Sequence, residues 1–137
     1  MKKMLFAAAF AALAFVAPAG AEDFPTRPVT MVIPFAAGGP QDTIGRIVAQ
    51  RMGELLGQPV VIENVGGAGG MTGSKRVAEA KPDGYTMVLG SVGTHAQNQT
   101  LYKHPLYNVV TDFMPVAYLA VTPIAIIARP DLPVSNF

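Results

Sequence analysis

The chain has 137 residues, half of them hydrophobic, with 10 basic and 9 acidic side chains and no cysteine. Without cysteine there is no disulfide scaffold, thiol nucleophile, cysteine zinc site or lipidated N-terminal cysteine. A formal charge of +1, with no basic tract, excludes a surface that tracks nucleic-acid phosphates.

The first segment reads as an address. Lys2 and Lys3 form a basic n-region, Met4 to Val16 is an uncharged apolar run, and Ala19-Gly20-Ala21 offers small residues for cleavage before Glu22. The run is shorter than the roughly 20 apolar residues needed to span a bilayer, so a cleavable signal peptide over residues 1–21 is expected rather than an anchor. Removing 21 of 137 residues leaves 116, one small domain or part of a larger one. Lys2 and Lys3 leave with the signal, so the mature balance is 8 basic against 9 acidic residues, a formal −1. An exported, soluble, cysteine-free protein fits a bacterial periplasm.

After a short extended lead-in, Val29 to Pro34 reads as a central parallel strand, apolar with little alternation. The turn FAAGG leads into a helix whose Ile44, Ile47, Val48, Met52, Leu55 and Leu56 are spaced to share one face. Pro40 suits its first turn and Gly57 its end. Pro59 to Glu63 predicts a second strand, followed by the glycine-rich GGAGG and a helix over about Met71 to Ala80. Pro82-Asp83-Gly84 turns the chain into a third strand, Tyr85 to Gly90. This β-α-β-α-β order is the pattern of a parallel sheet with right-handed crossovers. Polar SVGTHAQNQT then leads into a short helix ending near Leu101, and a loop, Tyr102 to Pro115, precedes two apolar runs read as strands, Val116 to Ala120 and Ile124 to Ala128. Near the end, Ser135 or Asn136 would cap a helix start.

Open parallel sheets bind ligands at the carboxyl ends of their strands. Three turns gather there: FAAGG, NVGGAGG and GSVGTHA. A strand order of 2-1-3 would set the first and third side by side. Glycines bare the unpaired N–H groups of a helix start, and the helix dipole favours negative charge, so the expected guest is an anionic oxygen group, most simply a carboxylate. The alternative for FAAGG is a tight turn that lets helix and sheet approach. One helix terminus contributes about 0.3–1 kcal/mol, ~2 when partly buried, whereas micromolar affinity needs about 8 kcal/mol. Ser91, Thr94, Asn98, ordered water and a second wall over the ligand would have to supply the rest.

Enzyme motifs fail on spacing. Thr72 stands where a dinucleotide fingerprint needs glycine, Gly73-Ser74-Lys75 inverts the P-loop order, and Leu89 replaces the first glycine of a nucleophile elbow. His95 and His104 lack a carboxylate at metal-ligand spacing. His104 reads as an exposed loop residue, while His95 would line a pocket or cap the short helix. Asp42 would cap its helix or, less naturally, touch the ligand. Glu63 and Asp112 have no acid partner for hydrolysis. No catalytic constellation, metal site or cofactor is expected.

Together the ordered motifs P-F-x-x-G-G-x-x-D (Pro34 to Asp42), LGQPVVIEN (Leu56 to Asn64), GAGG (Gly67 to Gly70), A-x-x-x-P-D-G-Y-T (Ala78 to Thr86), G-S-x-G-T-H-A-x-N (Gly90 to Asn98), Leu101-Tyr102 and DF-x-PVA (Asp112 to Ala117) closely resemble the Bug family. These are the periplasmic solute receptors of tripartite tricarboxylate transporters. The resemblance implies an α/β, type II periplasmic-binding fold, a two-lobed Venus flytrap that closes on a small organic acid and presents it to membrane permease subunits. It implies a ligand site of Phe35, Ala36, Ala37, Gly38 and Gly39 with Asp42, facing Ser91, Thr94, His95 and Asn98. Phe35 would wall the ligand and Asn98 support the turn. It implies a monomer with no cofactor and no nucleic acid. Two departures stand out. Asn108-Val109 replaces a common Asp-Pro, and family members are more than twice as long. The chain therefore reads as an N-terminal fragment, with most of the first lobe in residues 22–120 and the start of a crossover to the second in 121–137. The competing readings are a truncated nucleotide-binding α/β enzyme domain and a non-functional secreted fragment of a disrupted gene.

Overall fold

The computed structural model describes residues 23–121 and, beyond them, 123, 125, 127, 129 and 131. The expected signal peptide, the helix cap at Ser135 or Asn136, and alternate residues of the expected strand Ile124 to Ala128 lie outside the described residues.

Three strands, β1 (Val29–Ile33), β2 (Val60–Asn64) and β3 (Thr86–Val88), form one parallel sheet in the order β2-β1-β3. Two helices make the crossovers: α1 (Pro40–Leu56) between β1 and β2, and α2 (Met71–Ala78) between β2 and β3. Met31, Val32 and Ile33 are consecutive and all buried. Successive strand side chains point to opposite faces, so β1 is covered on both. The expected sheet order and parallel βαβαβ core are thus present.

Met31, Ile33 and Leu89 form the core on one face, with Val48 and Met52 of α1, Val60 and Ile62 of β2, and Met87 of β3 packed on them. The face α1 turns to the sheet keeps Val48 and Met52 of the expected stripe but not all of it. Asp42, Gly45 and Ala49 are its buried residues, whereas Ile47 and Leu55 are exposed. Small residues let the helix backbone sit close to the strands, so its larger apolar side chains splay to the flanks.

Residues 93–101 form one continuous helical stretch, a π-turn at Gly93–Gln97 running into the short helix α3 (Asn98–Leu101). It ends where the sequence placed it. Val116 to Ala120, expected as a strand, is not one: it makes no sheet pairing and is exposed. Among the described residues its β-forming side chains have no neighbouring strand to bond, and without cross-strand partners propensity alone does not make a sheet. Among the described residues no helix is long and apolar enough to cross a membrane.

Candidate functional site

The site grows from the residues that follow each strand. After Ile33 the chain bends through Pro34 and Phe35 and reaches Gly38 at φ 82°, a left-handed conformation that glycine adopts at little cost. Gly39 then caps α1 through its backbone alone, with no side-chain cap bond, and Pro40 enters the helix. Pro40 has no N–H to satisfy, so the exposed start of α1 is stabilised without a capping side chain. Among the described residues, no hydrogen bond takes the amides of Ala36, Ala37 or Gly39.

Asp42 holds this turn from beneath. Only 3 % of it is exposed. Its Oδ2 accepts from the Gly38 amide at 2.8 Å and from Arg46 Nε at 2.9 Å, and its Oδ1 accepts from Asn64 Nδ2 at 2.9 Å. The Arg46 guanidinium, then the Gly38 amide and Asn64, hold its carboxyl well below the usual carboxylate range. Of its two expected roles, the structure gives Asp42 a place in the scaffold of the turn. It does not cap α1, because it bonds backward to the preceding loop rather than to the helix's own first amides.

The other two turns close on the first. Asn64, at the end of β2, also donates to the Phe35 carbonyl at 3.2 Å. Gln41 Nε2 donates to the Leu89 carbonyl at 2.9 Å, tying the start of α1 to the end of β3. Asn98 Nδ2 donates to the Gly69 carbonyl at 3.0 Å and so fastens the third turn to the second. Gly70 sits where all three meet. It has φ 86°, and a Cβ there would lie 2.5 Å from Thr94 Cγ2 and 3.1 Å from Phe35 Cζ. Phe35, Gly38, Ser91 and Asn98 therefore belong to one cluster at the carboxyl edge of the sheet.

Inside the third turn Thr94 has no exposed surface. Its Oγ1 accepts from the Ser91 amide at 2.9 Å and lies 2.8 Å from His95 Nδ1. Of its two expected places His95 takes the first: it does not cap α3 but lines the hollow beside β3. Its ring packs edge-on to Phe113 at 4.7 Å and stacks with Tyr107 at 6.0 Å, and its Nε2 is buried without a partner among the described residues. Burial pushes the imidazole below its ordinary value, toward the neutral form. Thr94 thus lies within the fabric of the turn, Phe35, Gly39, Ser91 and His95 are half-buried, and Ala36 to Gly38 are exposed. His104 is exposed, as expected.

Three contributors were not singled out from the sequence. Asn64 and Gln41 are polar groups placed at the ends of a strand and at the start of a helix, which is the signal that marks them. Tyr107, buried in the loop after α3, donates its hydroxyl to the Thr94 carbonyl, and nothing in its sequence surroundings announces that. Among the hollows in the described residues, one of about 460 Å³ lies next to β2, and one of about 850 Å³ lies next to β3 and reaches Gly90 and His95 of the third turn. The turn cluster is an open shelf. Among the described residues no group of His, Asp or Glu is arranged to hold a metal ion.

A family model described as the tripartite tricarboxylate transporter family receptor matches residues 44–137. A UPF0065 protein of the TAR-I ttuE-ttuC' intergenic region of Agrobacterium vitis is 44 % identical over 116 residues, covering 85 % of this chain and 33 % of its own. The solved periplasmic binding protein BugD is 50 % identical with a TM-score of 0.64, covering 67 % of this chain and 30 % of its own. MatC from Rhodopseudomonas palustris, solved with bound malate, is 49 % identical with a TM-score of 0.68, covering 70 % of this chain and 33 % of its own. The chain spans about a third of the length of the curated relative and of both solved proteins.

Proposed function

The chain belongs to the tripartite tricarboxylate transporter receptor family, and we propose that it supplies the first-lobe half of a periplasmic receptor for a small organic carboxylate. In this reading residues 1–21 direct export and are removed, and the loaded receptor delivers its acid to membrane permease subunits. Family members and the solved neighbours are solute-binding proteins, and the chain is assigned no catalytic step.

The observation that carries the reading is the convergence of three glycine-bearing turns on one shelf, where the amides of Ala36, Ala37 and Gly39 are unpaired beside the start of a 17-residue helix. Unpaired amides and the helix dipole both favour a carboxylate there. Ser91, exposed enough to be reached, faces the same cluster through Thr94. Phe35 would wall the acid and Asn98 hold the third turn against the second. Asp42 would act indirectly, since its charge is matched by Arg46 at 2.9 Å. A malate-bound relative supports a di- or tricarboxylate as guest.

One shelf leaves a guest open to water on its far side, so the chain on its own should bind in the millimolar range, about 4 kcal/mol. NMR titration with malate tests this. Amide shifts should move at Ala36, Ala37, Gly39 and Ser91 and not at the outer edges of β2 and β3. Malate diamide, which lacks the charges, should leave them unmoved. Equal shifts with the diamide, or shifts spread over the whole sheet, would refute the assignment.

A further inference from the structure

The shelf carries a negative charge of its own. Asp42 is the third residue of α1 and is buried, and its Oδ2 takes the Gly38 amide at 2.8 Å. Gly38 stands between Ala37 and Gly39, whose amides have no hydrogen bond among the described residues. A carboxylate guest on those amides would share one turn of backbone with a second carboxylate. Like charges in a poorly hydrated site repel strongly, and an acid in a helix's first turn uses up part of the field that attracts an anion.

Arg46 lies one helical turn further on. Its Nε donates at 2.9 Å to the same Oδ2 that holds Gly38, so guanidinium and amide meet on one oxygen. The other oxygen, Oδ1, takes Asn64 Nδ2 at 2.9 Å. Gly38 and Asn64 are neutral donors, which orient the carboxylate without cancelling its charge. Arg46 is the donor that brings a charge, and with its side chain 56 % exposed it reaches the buried carboxylate from the solvent side. Shape and charge at this turn therefore have separate sources. The i,i+4 spacing is that of an ordinary surface ion pair, which contributes little when both partners are in water. Here one partner is buried, where salt screens poorly, so the pair governs the potential at the turn.

We propose that Arg46 is a positioning residue for the acid: by cancelling the charge of Asp42 it lets the shelf accept an anion, and without it the shelf turns against the ligand class it otherwise favours. The inference rests on the carboxylate reading above and adds to it the residue that sets the sign of the site. Arg46 acts through Asp42 and needs no contact with the guest.

The test is NMR titration of the full chain with malate at constant ionic strength, following the amides of Ala36, Ala37 and Gly39, in the parent and three variants. The amide spectrum of β1 to β3 reports whether each variant is folded. Arg46→Gln leaves the charge of Asp42 unmatched and should weaken malate binding about tenfold or more. Adding Asp42→Asn to Arg46→Gln removes that charge and should bring the affinity back to within about threefold of the parent. A role in shape alone predicts the reverse, because the second substitution takes a further partner from the turn. Asp42→Asn by itself leaves Arg46 unmatched and should tighten binding several-fold. Arg46→Gln with the parent's affinity, or a double variant no better than Arg46→Gln, overturns the proposal. If Arg46→Gln fails to fold, Asp42→Asn decides: tighter binding supports the assignment, and unchanged or weaker binding overturns it. A parent whose shelf amides ignore malate refutes the carboxylate reading itself and this inference with it, an outcome distinct from a parent that binds and an Arg46→Gln variant that binds equally well.

Discussion

Asn64 Nδ2 stands 2.9 Å from Asp42 Oδ1 and 3.2 Å from the Phe35 carbonyl, so one amide at the tip of β2 clamps both ends of the turn that follows β1. The turn's shape is therefore set by a neighbouring strand as much as by its own glycines. Removing the clamp should loosen the turn without touching its sequence.

Asn64→Ala leaves a carboxylate oxygen and a half-buried carbonyl without their donor, and the expected cost is about 1–3 kcal/mol. Urea unfolding followed by far-UV circular dichroism measures it. An unchanged midpoint would mean that water replaces the amide at no cost.

Gly70→Ala introduces a Cβ 2.5 Å from Thr94 Cγ2, on a backbone at φ 86°. The left-handed conformation alone costs about 1–2 kcal/mol for a residue with a Cβ, and the overlap adds to it. Gly66→Ala, where a Cβ would meet only the Ala36 nitrogen at 3.9 Å, is the matched control and should unfold within about 0.5 kcal/mol of the parent.

Tyr107→Phe deletes the hydroxyl that reaches the Thr94 carbonyl and keeps the ring between His95 and Phe113. A loss of about 0.5–1.5 kcal/mol follows from one buried bond. Hydrogen exchange should quicken locally, over residues 91–98, before it does so across the sheet.

Acid should weaken the fold in two stages. His95 has a lowered pKa in the folded state, so the unfolded chain takes up its proton first. Its contribution is whole above about pH 6.5 and declines below it. Asp42 is also lowered, by Arg46 above all. Its contribution is whole above about pH 4 and is lost only in stronger acid, as the folded carboxylate finally takes a proton. Melting temperature measured from pH 8 to pH 3 should bend at both places. His95→Phe should remove the upper bend and leave the lower one, and persistence of the upper bend in that variant would assign it to another group.

The strands and crossovers were legible because they are carried by local signals. Val29 to Ile33 is apolar throughout, Pro40 and Gly57 bracket α1, and Pro82-Asp83-Gly84 marks the approach to β3. The strand order and the meeting of the turns followed from the rules of parallel sheets. What the sequence concealed depends on neighbours. Ile47 and Leu55 fit a helical stripe, yet the sheet-facing surface is shared by Val48 and Met52 with Gly45 and Ala49, because close packing rewards small residues there. Val116 to Ala120 has the composition of a strand, but a strand needs a ladder partner. Asn64, Gln41 and Tyr107 act across 22 to 48, or in Tyr107's case 13, positions of sequence, a distance at which no periodicity speaks.

The shelf presents peptide nitrogen rather than side-chain chemistry. Ala36 and Ala37 contribute methyl groups that never enter the polar contact, so their replacement changes the rim and spares the donors themselves. A recognition surface made this way is decoupled from mutation. On the carboxylate reading proposed above, the part that would meet an acid is kept by the course of the main chain, and preference among acids would be set elsewhere.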